Sequence, residues 1–459
     1  MILKQYYIDC LSQGSYLVGD ESSGQAVVVD PRRDILEYLA DAAANGLRIV
    51  GVINTHFHAD FVAGHLELAE ATGAWIGYGS KAATEYPIRT FAHGERVSLG
   101  EVELEILETP GHTWESISVL VREHAGDPVP YAVLTGDALF VGDVGRPDLA
   151  ACVGADPGEL ARALYGSLHN VLMALPDAVR VMPAHGAGSA CGKNLSEERE
   201  STIGVQRATN PSLAPMAVED FVEMLATGQP AIPHYFSTDA LLNRNNRGVM
   251  EQIPAVRELC PADVGALVDA GAIILDTRSP RSFAAGHLPG SLNVGLDGRF
   301  AETAGMVLDS ADVIVLVTAA GRESEAALRL GRIGYDGVAG YLDASGAGFA
   351  ALGHSLVAAR RIAAADLGST ASRELAVVLD VRNPGEREAG SIPGSVHIPL
   401  AELSGRFAEL PADRPVIVHC ASGWRSSVAA SLLARHGFTD VSDVGGGYNA
   451  WAALDPAAP

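Results

Sequence analysis

The sequence predicts a multidomain α/β chain, on three observations. Its 459 residues are about three times a common domain length of roughly 150 residues, enough for more than one hydrophobic core. Short β-branched runs alternate with helix-like stretches from the N-terminus onward. Two later segments, beginning at Ala272 and Ala376, repeat each other at a spacing of about 100 residues, which is typical of a duplicated domain and long for a solenoid unit.

Each element follows in order. Strands are expected at YLVGD, QAVVVDP, LRIVGVINTH, GAWIGYG, RVSLGEVELEILETPGH, SISVLV and YAVLTGD, and helices over residues 33–45 and 64–72, stopped by Gly46 and Gly73. Residues of about 205–257, with NPS, GQPAIP and LLNRNNRG, read as loop and short helix. The repeat comprises AIILDTRSPRSFAAGHLPGSLNV and AVVLDVRNPGEREAGSIPGSVHI. In each copy a buried-type strand closes on Asp-x-Arg, and a later apolar strand, VIVLV or VIVHC, runs into a Gly-containing loop and an Ala/Leu-rich helix. That alternation implies parallel sheets with helices on both faces. The expected domains are 1–257, 261–355 and 362–459.

Hydrophobic residues make up 48% and charged residues 19% of the chain, and no apolar run approaches the roughly 20 residues of a membrane span. The opening MILKQYYIDC lacks the basic start and apolar middle of a secretory signal, so the expected location is the cytoplasm. Asp and Glu number 56 against 32 Lys and Arg, a formal charge of −24. Such a surface repels nucleic acid and anionic lipid, and neither is an expected partner; a homo-oligomer is. Cys10, Cys152, Cys191, Cys260 and Cys420 are odd in number, scattered and without a CxxC pair, which reads as thiols.

The segment VINTHFHADFVAGH ends a strand and places His56, His58 and Asp60 at alternate positions, where an extended chain aims them to one side. TPGHTWES adds His112, LTGDALF adds Asp137 and MPAHGAGSACGK adds His185, each at a strand end beside Gly or Pro. Four such sites together point to a bound cation.

HxHxD, PGHT, TGD and PAH in this order resemble the metallo-β-lactamase fold over about residues 1–210, which implies an αβ/βα sandwich ahead of the two parallel-sheet domains. That superfamily includes binuclear zinc hydrolases such as the glyoxalase II thioesterases and mononuclear iron persulfide dioxygenases. The hydrolase pattern continues HxHxDH, but here the last position is Phe61, which cannot ligate. The remaining His56, His112 and Asp137 have the composition of the non-haem iron facial triad, so the expected cofactor is Fe(II), one per chain. His58 stands either on the metal, as in zinc hydrolases, or beside it. Asp60 and His185 are expected to hydrogen-bond metal-bound water or substrate, with helix capping an alternative for Asp60. LFVGDVGRPDL resembles the persulfide dioxygenase group; its Arg146 either pairs with a substrate carboxylate or fixes the loop. Cys191, six positions after His185, either reaches the metal pocket, as the resemblance to fusions of this type implies, or is a small buried hydrophobe.

In VIVHCASGWRSS an apolar strand delivers Cys420 to the loop Ser422-Gly423-Trp424-Arg425 ahead of a helix. Loop N–H groups and the helix N-terminus suit a nucleophilic thiolate or a bound anion, and Arg425 adds positive charge. This CxxGxR loop, with Asp380-Val381-Arg382 and GSIPGS, resembles the rhodanese sulfurtransferases over about residues 362–456. The loop is also similar to that of cysteine phosphatases, but the upstream motifs fit rhodanese better. In the middle copy, aligning Gly334-Tyr335 with Gly437-Phe438 places Val317 opposite Cys420 and Arg322 opposite Arg425, so that copy is expected to lack transfer chemistry. Together the resemblances imply oxidation of a small thiol persulfide, glutathione persulfide or similar, by O2 to sulfite, with Cys420 giving thiosulfate. The alternatives are a zinc thioesterase with an accessory rhodanese and a sulfur carrier that turns nothing over.

Overall fold

The computed structural model describes residues 1–149 and 154–454; Cys152, read above as a plain thiol, lies outside them. Contacts divide the chain into two units. The first comprises Met1–Gln229, Tyr235–Gln252 and the short segment Arg332–Gly334, the second Pro230–His234, Ile253–Gly331 and the chain from Tyr335 on.

In the first unit, β1 (Ile2–Ile8), β2 (Gln13–Asp20), β3 (Gln25–Val29), β4 (Arg48–Ile53), β5 (Trp75–Gly79) and β6 (Arg89–Phe91) form one sheet in that spatial order. Its first three strands pair antiparallel and the rest parallel. A second sheet runs β12 (Ser201–Thr202), β11 (Arg180–Pro183), β10 (Ala132–Gly136), β9 (Ile117–Arg122), β8 (Glu103–Glu108) and β7 (Arg96–Ser98). Strand periodicity decides the packing: Val27 and Val29 on β3 meet Leu104, Ile106, Val119 and Val121 of the other sheet in one core. The intervening Val28 turns outward onto Tyr38 and Ala42 of helix Leu36–Ala44. On the opposite side Leu120, Val133 and Val181 cover Leu160 and Leu164 of helix Pro157–Gly166. Two sheets between two helical layers make the αβ/βα sandwich that the sequence predicts.

The stretch expected to be loop and short helix contains helices Ile203–Thr209, Val218–Ala226 and Tyr235–Leu242. The last is followed by a fully buried Asn243, which matters below.

The second unit holds two all-parallel sheets. One is ordered β14 (Leu292–Asn293), β13 (Ile273–Asp276), β15 (Ile314–Thr318), β16 (Val338–Asp343). The other is ordered β19 (Val396–His397), β18 (Val377–Asp380), β20 (Val416–His419), β21 (Val441–Gly445), β17 (Arg360–Ala363). The orders coincide once β17 is set against the single parallel bridge of Glu258 to Tyr341, so the sequence repeat is a repeat of fold.

Register corrects the internal alignment. Asp276 pairs with Val317 and Asp380 with His419, so Val317 matches His419 and Thr318, not Val317, matches Cys420. Gly321 (φ 86°) and Gly423 (φ 92°) then coincide in the left-handed region, and Glu323, not Arg322, stands where the second copy has Arg425. Helix Arg425–Arg435 has 11 residues and its counterpart Glu323–Gly331 has 9, so an alignment anchored beyond the helix slips by one. Among the described residues no helix is long and apolar enough to cross a membrane.

Candidate metal centre and sulfur-transfer loop

The metal-type side chains lie where strands of the first unit end. β4 finishes at Ile53, and the following turn is tied to β3 by Asp30, whose carboxylate accepts from Thr55 N at 2.7 Å and Thr55 Oγ1 at 2.9 Å. β10 ends at Gly136 with φ 52°, where a Cβ would lie 2.5 Å from Thr55 Oγ1. Only glycine lets Asp137 approach the histidine turn so closely.

Three donors converge. His56 Nε2 and His112 Nε2 lie 3.8 and 3.6 Å from Asp137 Oδ2, spacings that a cation between them fills. His112 Nδ1 donates to Arg146 O at 2.9 Å, which turns Nε2 inward. Burial holds both His56 and His112 below the ordinary imidazole range, so they are neutral and able to ligate. Burial opposes ionisation of Asp137, yet His185 and His56 hold its carboxyl far below the usual carboxylate range. His56 Nε2 and Asp137 Oδ2 are buried with no hydrogen-bond partner, a costly arrangement for a protein that binds nothing there. These residues fit a two-histidine, one-carboxylate metal site.

His58 faces differently. Its Nε2 is 3.0 Å from Asp30 Oδ1, and its Nδ1 is buried without a hydrogen-bond partner, so Nδ1 is the atom able to reach an ion. Phe61 packs on it, ring centroids 4.3 Å apart, where hydrolases carry another ligand. Asp60 does not cap the following helix, which begins at His65 behind Gly64. Instead its Oδ2 lies 2.8 Å from His185 Nε2, while His185 Nδ1 is 2.7 Å from Asp137 Oδ1. Burial disfavours a charge on His185, but the two carboxylates raise it well above its ordinary range. Cys191 is buried beside this pair, and donor atoms of Asp60, His185 and Cys191 all lie within 4.8 Å of one another. Burial and then Asp60 and Asp137 push its thiol up, so without a metal it is neutral. Arg146 is 2% exposed, with its guanidinium on Asp148 and on Ala190 O, which is the loop-fixing arrangement.

Asn243 is the residue that sequence reading misses. Its Nδ2 donates to His58 O and Phe61 O, both at 2.8 Å, and its Oδ1 accepts from Ala63 N at 2.7 Å. It clamps the backbone of the HxHxD turn. A cavity of about 290 Å³ opens beside His112, lined by Phe57, Trp114, Lys81 and Arg244. Lys81 lies 4.8 Å above the Trp114 ring and Arg244 4.6 Å above that of Phe57, and neither forms an ion pair among the described residues.

In the second unit, Cys420 follows β20 and is buried. Gly423 N donates to its Sγ at 3.1 Å, and Ser426 Oγ lies 3.8 Å from Sγ. Gly447 (φ 58°) permits the close pass of the next loop, since a Cβ there would lie 2.3 Å from Cys420 O. Ser422 is exposed, and Trp424 lies against Gly295 of the middle copy. Arg425 departs from expectation: its guanidinium forks onto Glu386 at 2.7 and 2.6 Å, so its charge reaches Cys420 already paired.

Comparison with known proteins agrees with both halves. The metallo-beta-lactamase superfamily matches residues 8–185, and the rhodanese-like domain matches 261–351 and 363–454. The chain belongs to the metallo-β-lactamase superfamily and carries two rhodanese-like domains. It is similar to a metallo-beta-lactamase from Staphylococcus aureus subsp. aureus COL, with TM-score 0.68 and 32% identity over 74% of this chain and 99% of that one. The mitochondrial persulfide dioxygenase of Bos taurus is 28% identical over 49% of this chain and 80% of its own. A hydroxyacylglutathione hydrolase of Rhodospirillum rubrum is 31% identical over 50% of this chain and 80% of its own. A beta-lactamase hydrolase-like protein of Agrobacterium fabrum is 28% identical over 48% of this chain, which spans about half (54%) of that relative.

Proposed function

We propose that the chain oxidises a low-molecular-weight thiol persulfide to sulfite at a single non-haem iron and converts the sulfite to thiosulfate with sulfane sulfur carried on Cys420. The observation that carries the reading is the donor set itself. His56, His112 and Asp137 converge with orphaned atoms, while Phe61 fills the position from which a hydrolase holds its second metal. Iron(II) bound by these three would supply oxygen activation at its open positions. Neutral imidazoles and an ionised Asp137 suit that ion. His185, protonated between Asp60 and Asp137, is placed to hold or return a proton beside the reacting sulfur. Lys81 and Arg244 suit the anionic end of a thiol such as glutathione, with Phe57 and Trp114 shielding the pocket from water. Placing both chemistries on one chain raises the effective concentration of sulfite at Cys420. We assign the modules to residues 1–257, 261–355 and 362–459, the middle one without transfer chemistry.

A second reading keeps one specific support. Asp60, His185 and Cys191 could hold a second ion, as a zinc thioesterase similar to the hydroxyacylglutathione hydrolases would require. One experiment separates the two: oxygen uptake by iron-reconstituted protein given glutathione persulfide, with metal content measured on the same sample. The expected result is uptake with about one iron per chain, lost together with the metal in Asp137→Ala. Two zinc per chain and oxygen-independent cleavage of an S-acyl thioester would replace the proposal.

A further inference from the structure

We propose that Ser426 and Asp443 form a proton relay for Cys420, with Ser426 the catalytic hydroxyl that touches the sulfur and Asp443 the positioning carboxylate behind it. This rests on the reading of Cys420 as the sulfur-transfer nucleophile. The contacts close into a ring. Ser426 Oγ stands 3.8 Å from Cys420 Sγ and donates to Asp443 Oδ2 at 3.2 Å. Asp443 Oδ2 is 2.9 Å from Arg361 Nη2, the same nitrogen donates to Gly423 O at 2.8 Å, and Gly423 N donates to Sγ at 3.1 Å. Cys420, Ser426 and Asp443 are all buried, so the thiol proton has no direct route to bulk water.

The middle copy provides an internal control. By strand register Asp443 corresponds to Tyr341, and Arg361 to Glu258. Ser426 corresponds to Ser324, whose hydroxyl is turned to Pro254 O at 2.9 Å. The copy without the thiol therefore keeps the serine but lacks the carboxylate and its arginine. Burial pushes Asp443 up to about 6, although Arg361 and Ser426 draw it down, a value suited to exchanging a proton near neutrality. The other charged groups around the loop are already paired, Arg425 with Glu386 and Asp380 with Arg382, and His419 lies 3.8 Å from Asp380.

The step balances. The Cys420 proton passes to Ser426 Oγ as the Ser426 proton passes to Asp443, leaving a thiolate that faces a hydroxyl donor. The thiolate attacks the outer sulfur of the donor persulfide, forming the Cys420 sulfur–sulfur bond. The donor's own sulfur–sulfur bond breaks, its electron pair leaves on the donor thiolate, and the proton held by Asp443 neutralises that thiolate. No external oxidant or reductant is needed.

The test is the rate of Cys420 alkylation by iodoacetamide against pH in the full chain, followed by mass spectrometry of the Cys420 peptide. Asp443→Asn is expected to slow alkylation roughly tenfold near pH 7, equivalent to one pKa unit, and to converge with the wild type near pH 10. Ser426→Ala should behave alike, and Ser426→Thr should restore the wild-type profile. Profiles that fall by the same factor at every pH, or that do not change, overturn the relay. Normal alkylation profiles with no sulfur taken up from thiosulfate or glutathione persulfide would overturn the sulfur-transfer reading instead.

Discussion

The two rhodanese-like copies hold the same turn in two different uses. After β20 the turn presents Gly423 N to the sulfur of Cys420. After β15 the matching Gly321 N donates to Glu323 Oε2 at 2.7 Å, so the protein's own carboxylate takes the place that an anionic sulfur would occupy. Both glycines are left-handed, and the backbone cradle has outlasted its nucleophile. An anion-binding turn is thus a property of the backbone, and side chains decide whether it serves a reaction or closes on itself.

The largest effect expected from breaking this contrast is at Cys420. Cys420→Ser should abolish sulfur transfer while oxygen uptake persists, so sulfite accumulates in place of thiosulfate in a product assay. An unchanged thiosulfate yield would remove the functional difference between the copies. Next comes an attempt to revive the middle copy in that background. Thr318→Cys alone should take up sulfur roughly 10²-fold more slowly than Cys420 does, because Glu323 fills the cradle and loop donors are worth about that much. Adding Glu323→Arg should raise the rate, as read by mass spectrometry of the peptide that carries the Thr318→Cys substitution after exposure to a persulfide.

A smaller effect is a pH slope in stability. Asp443 moves from an ordinary 3.8 to about 6 in the folded chain, so the native state binds its proton more tightly than the unfolded state does. That contribution is fully present below about pH 4 and is lost as pH rises through about 6. Between those limits the wild type should lose on the order of 2–3 kcal/mol relative to Asp443→Asn, measured by urea unfolding. Tyr341→Phe in the middle copy should show no such slope. The smallest effect concerns how one copy supports the other. Asn293 accepts from Ser427 Oγ at 2.6 Å and donates its N–H to Ser431 Oγ at 3.0 Å, bracing the helix behind Cys420. Asn293→Ala should cost about 1–2 kcal/mol in urea unfolding and slow sulfur transfer less than threefold.

Legibility varies with sequence distance. His56, His112 and Asp137 are visible because strand ends beside Gly or Pro mark where a site can form. Asn243 is not, because an asparagine in LLNRNNRG looks like any polar loop residue until it is seen holding His58 and Phe61, 185 and 182 positions away. Asp30 and Thr55 are hidden in the same way, and the sequence shows Arg425 without its partner Glu386. The slip that sets Val317 against Cys420 has another cause: a helix two residues longer moves every anchor beyond it, and only hydrogen-bond register between strands restores the match.

By itself the sequence determined the α/β class, the repeat, the identity of the metal-type donors and the thiol in its loop, because periodicity, turn residues and ligand chemistry are local properties. The tertiary structure decided which of those donors face one another, that Arg146 and Arg425 are already paired, that Glu323 closes the empty cradle, and that Ser426, Asp443 and Arg361 ring the sulfur. Those outcomes depend on which strands lie side by side. A parallel sheet brings together residues far apart in the chain through hydrogen bonds common to every sequence, so its register leaves little trace in any single segment.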